Sequence, residues 1–190
     1  MNWLAIILLN EVNWESLRTI VSDASMIPSA VEALSEALRP EEVEAAYWRL
    51  DNHVVVQGQI FDSALALIPV LLALLAGALA EPVRASILEL LFQILVGTPD
   101  HTEIDRGLLN LAEECRTEIK KGMWLFYSDL FSTEPSVRKV AMELVVECDE
   151  DELRRGRVLE WLGASDPDDG IRRVARKIQA KVGLGPPPPP

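Results

Sequence analysis

Histidine, cysteine and aromatic residues are scarce in this chain, and their scarcity removes several chemistries at the outset. The two histidines, His53 and His101, stand far apart, with no serine or cysteine in a nucleophile's setting beside them. The two cysteines, Cys115 and Cys148, fall in helical patterns rather than in a close-spaced framework, so neither a disulfide scaffold nor a zinc site is suggested. Both read as free and buried. No Gly-rich phosphate loop, HExxH or paired CxxC occurs. The acidic run Asp149, Glu150, Asp151, Glu152 and the trio Asp166, Asp168, Asp169 lack the alternation of an EF-hand loop and read as helix N-terminal charges. The sequence therefore predicts no catalytic residue, no metal ligand and no cofactor.

Basic residues are also outnumbered. Eighteen Lys and Arg face thirty Asp and Glu, for a net charge of −12, and residues 1–80 hold 10 acids against 3 bases. Such a surface repels nucleic acid and anionic lipid. It favours a basic protein partner, with solubility alone as the plain alternative. A positive n-region and a small-residue cleavage site are missing from the apolar start WLAIILL, which predicts a cytoplasmic protein.

The chain does possess a long uncharged run. Residues 63–80 read SALALIPVLLALLAGALA, which reaches the length at which a membrane span must be weighed. Asp62 and Glu81 bracket it, Pro69 and Gly77 interrupt it, and apart from Phe61 no aromatic belt flanks it. The following PVRASILELLFQILVG is nearly as apolar while carrying Arg84 and Glu89. Two adjacent helices greasy on most sides imply the buried centre of a helical stack rather than a membrane protein.

Low aromatic content with abundant Ala and Leu favours helix over sheet. Helix starts recur along the chain. Asn13 precedes WESLRTIV as an N-cap, a second helix lies within 25–38 from near Pro28, and Pro40 opens EEVEAAYWRLDNHVVV with Gly58 as its end. The apolar run follows, then Pro82 opens a helix closed by Gly97 to Asp100. Thr102 with Asp105 reads as a capping box before IDRGLLNLAEECRTEI, and Gly122 separates that helix from MWLFYSDLF. Pro135, Glu150 and the Asp166-Pro167 pair open the last three. About ten helices result.

Several of these starts repeat. Glu81-Pro82-Val83-Arg84, Glu134-Pro135-Ser136-Val137-Arg138 and the segment from Asp166-Pro167 to Ile171-Arg172 share an acidic residue, a proline and an aliphatic-arginine pair. Their helices carry matching stripes: Val137, Val140, Ala141, Leu144, Val145 and Cys148 in one, and Ile171, Val174, Ala175, Ile178 and Val182 in the other. Small Ala141 and Ala175 would let neighbouring helices approach. Counting Pro40, the starts lie 42, 53 and 32 residues apart.

This pattern over residues 40–182 resembles HEAT repeats. Residues 47–72, with His53, Gln57, Gly58 and Pro69, also look like a segment of bacterial HEAT-like proteins. The resemblance implies an all-α fold, a right-handed α-α superhelix in a single domain spanning 1–182. Residues 1–39 would be capping helices, 40–182 the repeats and 183–190 a Gly/Pro tail, whose five prolines favour an extended polyproline form. It further implies an interaction module, similar in some cases to immunity proteins that neutralise toxins.

Candidate partner-binding residues follow from charge and resemblance together. Glu89, Glu143 and Glu147 would stand in for substrate phosphates against a basic, nuclease-like toxin, or else merely solvate their helices. A spacing of four puts His53 and Gln57 on one helical face, or else the two satisfy loop backbone at the Gly58 turn. Trp48, Trp124, Phe126, Tyr127 and Trp161 read as packing residues. Arg172, Arg173, Arg176, Lys177 and Lys181 read as a solvated outer face, consistent with no nucleic acid partner. The alternatives are a HEAT-like enzyme, such as a bilin lyase or DNA glycosylase relative, and a self-associating scaffold. The expected state is a monomer or weak homodimer.

Overall fold

Asn2 starts the first helix, α1 (Trp3–Glu11), by accepting the Ala5 N–H at 2.9 Å, while its amide donates to the Ala73 carbonyl at 2.6 Å. The computed structural model describes residues 1–182, and the predicted tail, 183–190, lies outside the described residues. The fold is all-α: eleven helices and three two-residue strands among the described residues. The chain divides into two compact units, one over Met1–Gly122 and one starting at Met123. The sequence carries no linker there, since only two residues separate the flanking helices.

In the first unit, the segment after Asn13 is a correction. Only a 3-10 turn, Trp14–Ser16, forms there, because the Trp14 indole is drawn inward to donate to the Leu9 carbonyl at 2.8 Å. The chain then loops, pinned by the Thr19 hydroxyl and by an isolated bridge between Arg18 and Asp23. α2 (Ile27–Glu36) begins with Pro28 in its first turn, and α3 (Pro40–Val54) with Pro40 at its start, as the sequence predicts.

A second correction follows α3, which ends at Val54 rather than at Gly58. Val55–Val56 and Gln59–Ile60 form an antiparallel hairpin, β1 and β2. Gln57 (φ 52°) and Gly58 (φ 77°) both sit at positive φ, as a tight two-residue hairpin turn requires. β3 (Thr98–Pro99) adds to β2 in parallel, with the Asp100 N–H on the Ile60 carbonyl at 3.0 Å. A side chain at Gly97 would meet Ile60 at 2.5 Å, so glycine is required there.

α4 (Asp62–Leu75) and α5 (Glu81–Val96) carry the apolar run. Leu67, Ile68, Leu71, Ile87 and Leu88 are fully buried, each contributing about 1.5–3 kcal/mol. The uncharged stretch is broken after Leu75, and no helix among the described residues is long and apolar enough to cross a membrane. α4 packs chiefly on α1 and α7, while α5 packs on α3 and α7. A stack of sequential helix pairs would have α4 meet α5 most closely, so the first unit departs from that simple order.

The predicted long helix from Thr102 is also two pieces. Asp100, not Thr102, is the cap, accepting the Thr102 N–H at 2.8 Å and its hydroxyl at 2.6 Å. α6 (His101–Asp105) stops before Gly107, whose φ of +90° ends the helix, and α7 (Leu111–Lys120) restarts.

The second unit contains α8 (Met123–Asp129), α9 (Pro135–Cys148), α10 (Glu152–Ser165) and α11 (Asp169–Val182). The predicted α9 stripe, Val137 through Cys148, is buried throughout. Ala175 packs near Gly163, where an added Cβ would lie 3.9 Å from the alanine methyl, so small residues do bring α10 and α11 together.

The repeated aliphatic-arginine pairs share one local arrangement. Val83, Val137 and Ile171 are buried, and each following arginine reaches back to carbonyls before its helix. Arg84 donates to Leu75 and Gly77, Arg138 to Ser132 and Thr133, and Arg172 to Asp166. Such carbonyls lie at or beyond a helix C-terminus, where a cation is favoured.

Candidate binding surfaces

The predicted binding residues fall in both units. Glu89 belongs to the first unit, Glu143 and Glu147 to the second. Glu143 lies 3.8 Å from Lys139, and Glu147 is exposed one turn further along α9. His53 and Gln57 share no helical face, because His53 closes α3 while Gln57 tips the hairpin in solvent. The His53 carbonyl accepts the Ile20 N–H at 3.3 Å, whereas its Nδ1 is enclosed without a hydrogen-bond partner. His101 is exposed, with Nδ1 3.3 Å from Asp100.

Glu89 stands beside an arrangement the sequence did not signal. On α3, the Tyr47 hydroxyl donates to Asp51 at 3.1 Å, and Glu89 on α5 is close enough to act on both through charge while accepting the Gln93 amide at 2.7 Å. Burial, then Glu89, raises the Asp51 carboxyl above its ordinary range against the lowering effect of Tyr47. Burial with Asp51 and Glu89 likewise raises the Tyr47 hydroxyl. Neither carboxylate has a basic partner among the described residues.

The second unit shows the opposite arrangement beneath an open groove of about 650 Å³. One wall is Tyr127, Leu130 and Phe131, and the other is one face of α10, from Leu153 and Arg154 through Arg157 and Val158 to Trp161. Trp161 meets Phe131 with ring centroids 5.4 Å apart. At the other end Tyr127 lies 5.5 Å from Trp124, and the Arg154 guanidinium sits 5.4 Å from the Trp124 ring.

Arg154 is fixed by Asp149, through Nε at 2.7 Å and Nη2 at 2.5 Å, while the Tyr127 hydroxyl donates to the same carboxylate. Burial works to raise the Asp149 pKa, but Arg154, Tyr127 and the Asp151 N–H outweigh it and hold the carboxyl at about 2. Burial and the bond to Asp149 push the Tyr127 hydroxyl up to about 12. Arg154 and Tyr127 are thereby locked, while Phe131 is 73% exposed, Leu153 72% and Trp161 44%.

The aromatic residues of this unit correct the packing expectation. Phe126 is fully buried with Leu130 four residues on, but Trp124, Tyr127 and Phe131 follow an i, i+3, i+7 spacing that turns them to the other side. Two adjacent stripes in MWLFYSDLF were the signal available. Trp48 is likewise half-exposed, in edge contact with Tyr47.

The cysteines offer no nucleophile. Both are buried, and burial pushes the Cys115 thiol up to about 12. No three His, Cys, Asp or Glu side chains among the described residues gather in a way that could hold a metal ion. Comparison of the chain with protein families, with curated proteins and with solved structures finds no match.

Proposed function

We propose that this protein works by holding another polypeptide, and that the groove of the second unit is its contact surface. The observation that carries this is the exposed apolar set Phe131, Leu153 and Trp161 along a groove in which Arg154 is already fixed by Asp149. Exposed aromatics beside a positioned arginine are the composition of interface anchors, and prior locking lowers the cost of ordering on binding. The test is capture of partners by the tagged chain and by a Phe131→Ala/Trp161→Ala variant. A partner held by the first and lost by the second supports the groove, and one held equally by both overturns it.

A second reading, inhibition of a basic protein such as a toxin nuclease, has its own support. Asp51 and Glu89 lack basic partners in a chain of net charge −12, so an incoming Lys or Arg would relieve their mutual repulsion. The HEAT-like helix starts point the same way through the immunity proteins they resemble. Charge reversal at Asp51 and Glu89 is then expected to weaken capture of a basic partner and its dependence on salt. Unchanged binding after reversal rules this reading out.

A further inference from the structure

α10 turns a stripe of regular spacing towards the groove. Leu153, Arg157 and Trp161 stand four residues apart, so they follow one another along the helix at steps of about 6 Å. The stripe reads apolar, cationic, apolar over about 12 Å, with Phe131 on the opposite wall.

Three charged side chains line the groove, and two of them are already engaged within the unit. Arg154 is held by Asp149 and lies 3.4 Å from Asp151. Arg157 is exposed and makes no hydrogen bond or ion pair among the described residues, although Glu160 is only three residues away. One positive charge is thus left open between two exposed apolar side chains. Its own unit does little to repel a carboxylate: residues 123–182 hold 12 acids against 10 bases, so most of the chain's net charge of −12 belongs to residues 1–122.

Spacing and charge together select the occupant. A helix repeats side chains on one face at i and i+4, about 6 Å apart, which matches the stripe, whereas a polyproline segment repeats every three residues at about 9 Å. No strand lies in the second unit among its described residues, so an incoming segment finds no sheet edge to extend there. A second copy docked through the same groove about a central two-fold axis would set Arg157 against its own counterpart.

We propose that the groove takes a short amphipathic helix of a partner polypeptide, in which a Glu or Asp side chain pairs with Arg157 while apolar side chains one turn before and after it pack on Leu153 and Trp161. The proposal rests on the groove reading above and adds to it the class of ligand. Arg157 then serves chiefly to select among partners, since an exposed ion pair contributes little affinity of its own.

The test uses the full chain and synthetic alanine-based helical peptides in which two leucines stand four residues either side of a central position, a symmetric pattern that reads alike in both helix directions. The centre is glutamate in one peptide, glutamine in a second and lysine in a third. Binding is followed by NMR through the indole N–H signals of the five tryptophans. The expected result is a shift of Trp161 with Trp14 unmoved, the glutamate peptide binding about three-fold or more tighter than the glutamine peptide at low salt and the lysine peptide weakest. In Arg157→Gln, where no internal hydrogen bond or ion pair is lost, the glutamate and glutamine peptides should bind alike.

No shift of Trp161 by any of the three peptides overturns the proposal. Equal binding of the glutamate and glutamine peptides to the unaltered chain overturns the carboxylate assignment while the groove reading survives. A glutamate preference that persists in Arg157→Gln overturns the pairing with Arg157. A Trp161 signal that moves with protein concentration in the absence of peptide overturns the partner helix in favour of a second copy, and a shift by decanoate with the peptides inactive overturns it in favour of a small amphiphile. The underlying reading fails separately, since partner capture indifferent to Phe131→Ala/Trp161→Ala removes the groove itself.

Discussion

The two units solve the same problem, fixing helices against one another, with different means. The first surrounds α4 and α5 with aliphatic side chains, and its half-buried pair Asp51 and Glu89 is left without a counter-charge. The second, with about 60 described residues, is near the size at which buried apolar area alone is marginal. It adds oriented pairs: Arg138 binds Asp166 through two hydrogen bonds of 2.8 Å, and Arg154 binds Asp149. The difference teaches where each unit is most easily broken.

The largest expected effect is in the second unit. Arg138→Met leaves the Asp166 carboxylate buried without its partner and should cost about 3–5 kcal/mol in chemical denaturation. Because the two side chains form one unit, Asp166→Asn added to Arg138→Met should cost much less than the two single losses together. Strict additivity would mean that the pair is not what orders these helices. Arg84→Met, at the matching position of the first unit, removes hydrogen bonds to the Leu75 and Gly77 carbonyls and should cost less, about 1.5–3 kcal/mol.

In the first unit the sensitive positions are apolar. Leu71→Ala removes a fully buried side chain from the middle of α4 and should cost about 2–5 kcal/mol, with the larger value if the cavity does not collapse. Far-ultraviolet circular dichroism against denaturant measures it. A loss under about 1 kcal/mol would show that aliphatic burial is not what chiefly holds this unit together.

Acidification should separate the units. Asp149 and Asp166 have lowered pKa values, so their stabilisation is complete above the ordinary carboxylate range and is lost as pH falls from about 4 towards 2. In the first unit Glu42 and Asp100 are lowered too, but Asp51 and Glu103 have raised values and offset them, since the contribution of this raised pair is complete below that range and is lost as pH rises through the raised pKa. Followed by NMR, Trp161 in the second unit should leave its native position at a higher pH than Trp14 in the first. The reverse order would break the contrast.

Much of the all-α architecture was legible because proline starts and apolar periodicity are local signals. Pro28, Pro40, Pro82 and Pro135 all lie in the first turn of a helix. The errors share a different origin. HVVVQGQI reads as helix when extended from Pro40, yet its β-branched valines and Gln57-Gly58 turn favour a hairpin once β3 supplies a neighbour forty residues away. Thr102 looks like a cap in isolation, but Asp100, two residues earlier, captures its N–H and hydroxyl. The groove was missed because aromatic residues in a helix suggest core, and only the stripe they fall on distinguishes Phe126 from Trp124. Glu89 was singled out for charge and resemblance, while its neighbours Tyr47 and Asp51 come from a different helix.

The smallest expected effect tests whether the bare pair in the first unit is a liability kept for a partner. Asp51→Asn keeps the side chain's shape, can still accept the Tyr47 hydrogen bond, and removes a charge that burial and Glu89 both disfavour. Because Asp51 is only half-buried, solvent screens much of that cost, and the gain should be a few tenths to about 1 kcal/mol at neutral pH. The gain should vanish in acid, where Asp51 is already protonated in the folded state. Asp149→Asn, by contrast, removes a charge that Arg154 and Tyr127 both favour, and should destabilise at neutral pH. Opposite signs for these two like-for-like substitutions are the sharpest form of the contrast. If Asp51→Asn also destabilises, the first unit uses its carboxylate as the second does, and the case for an unpaired site awaiting a basic partner is lost.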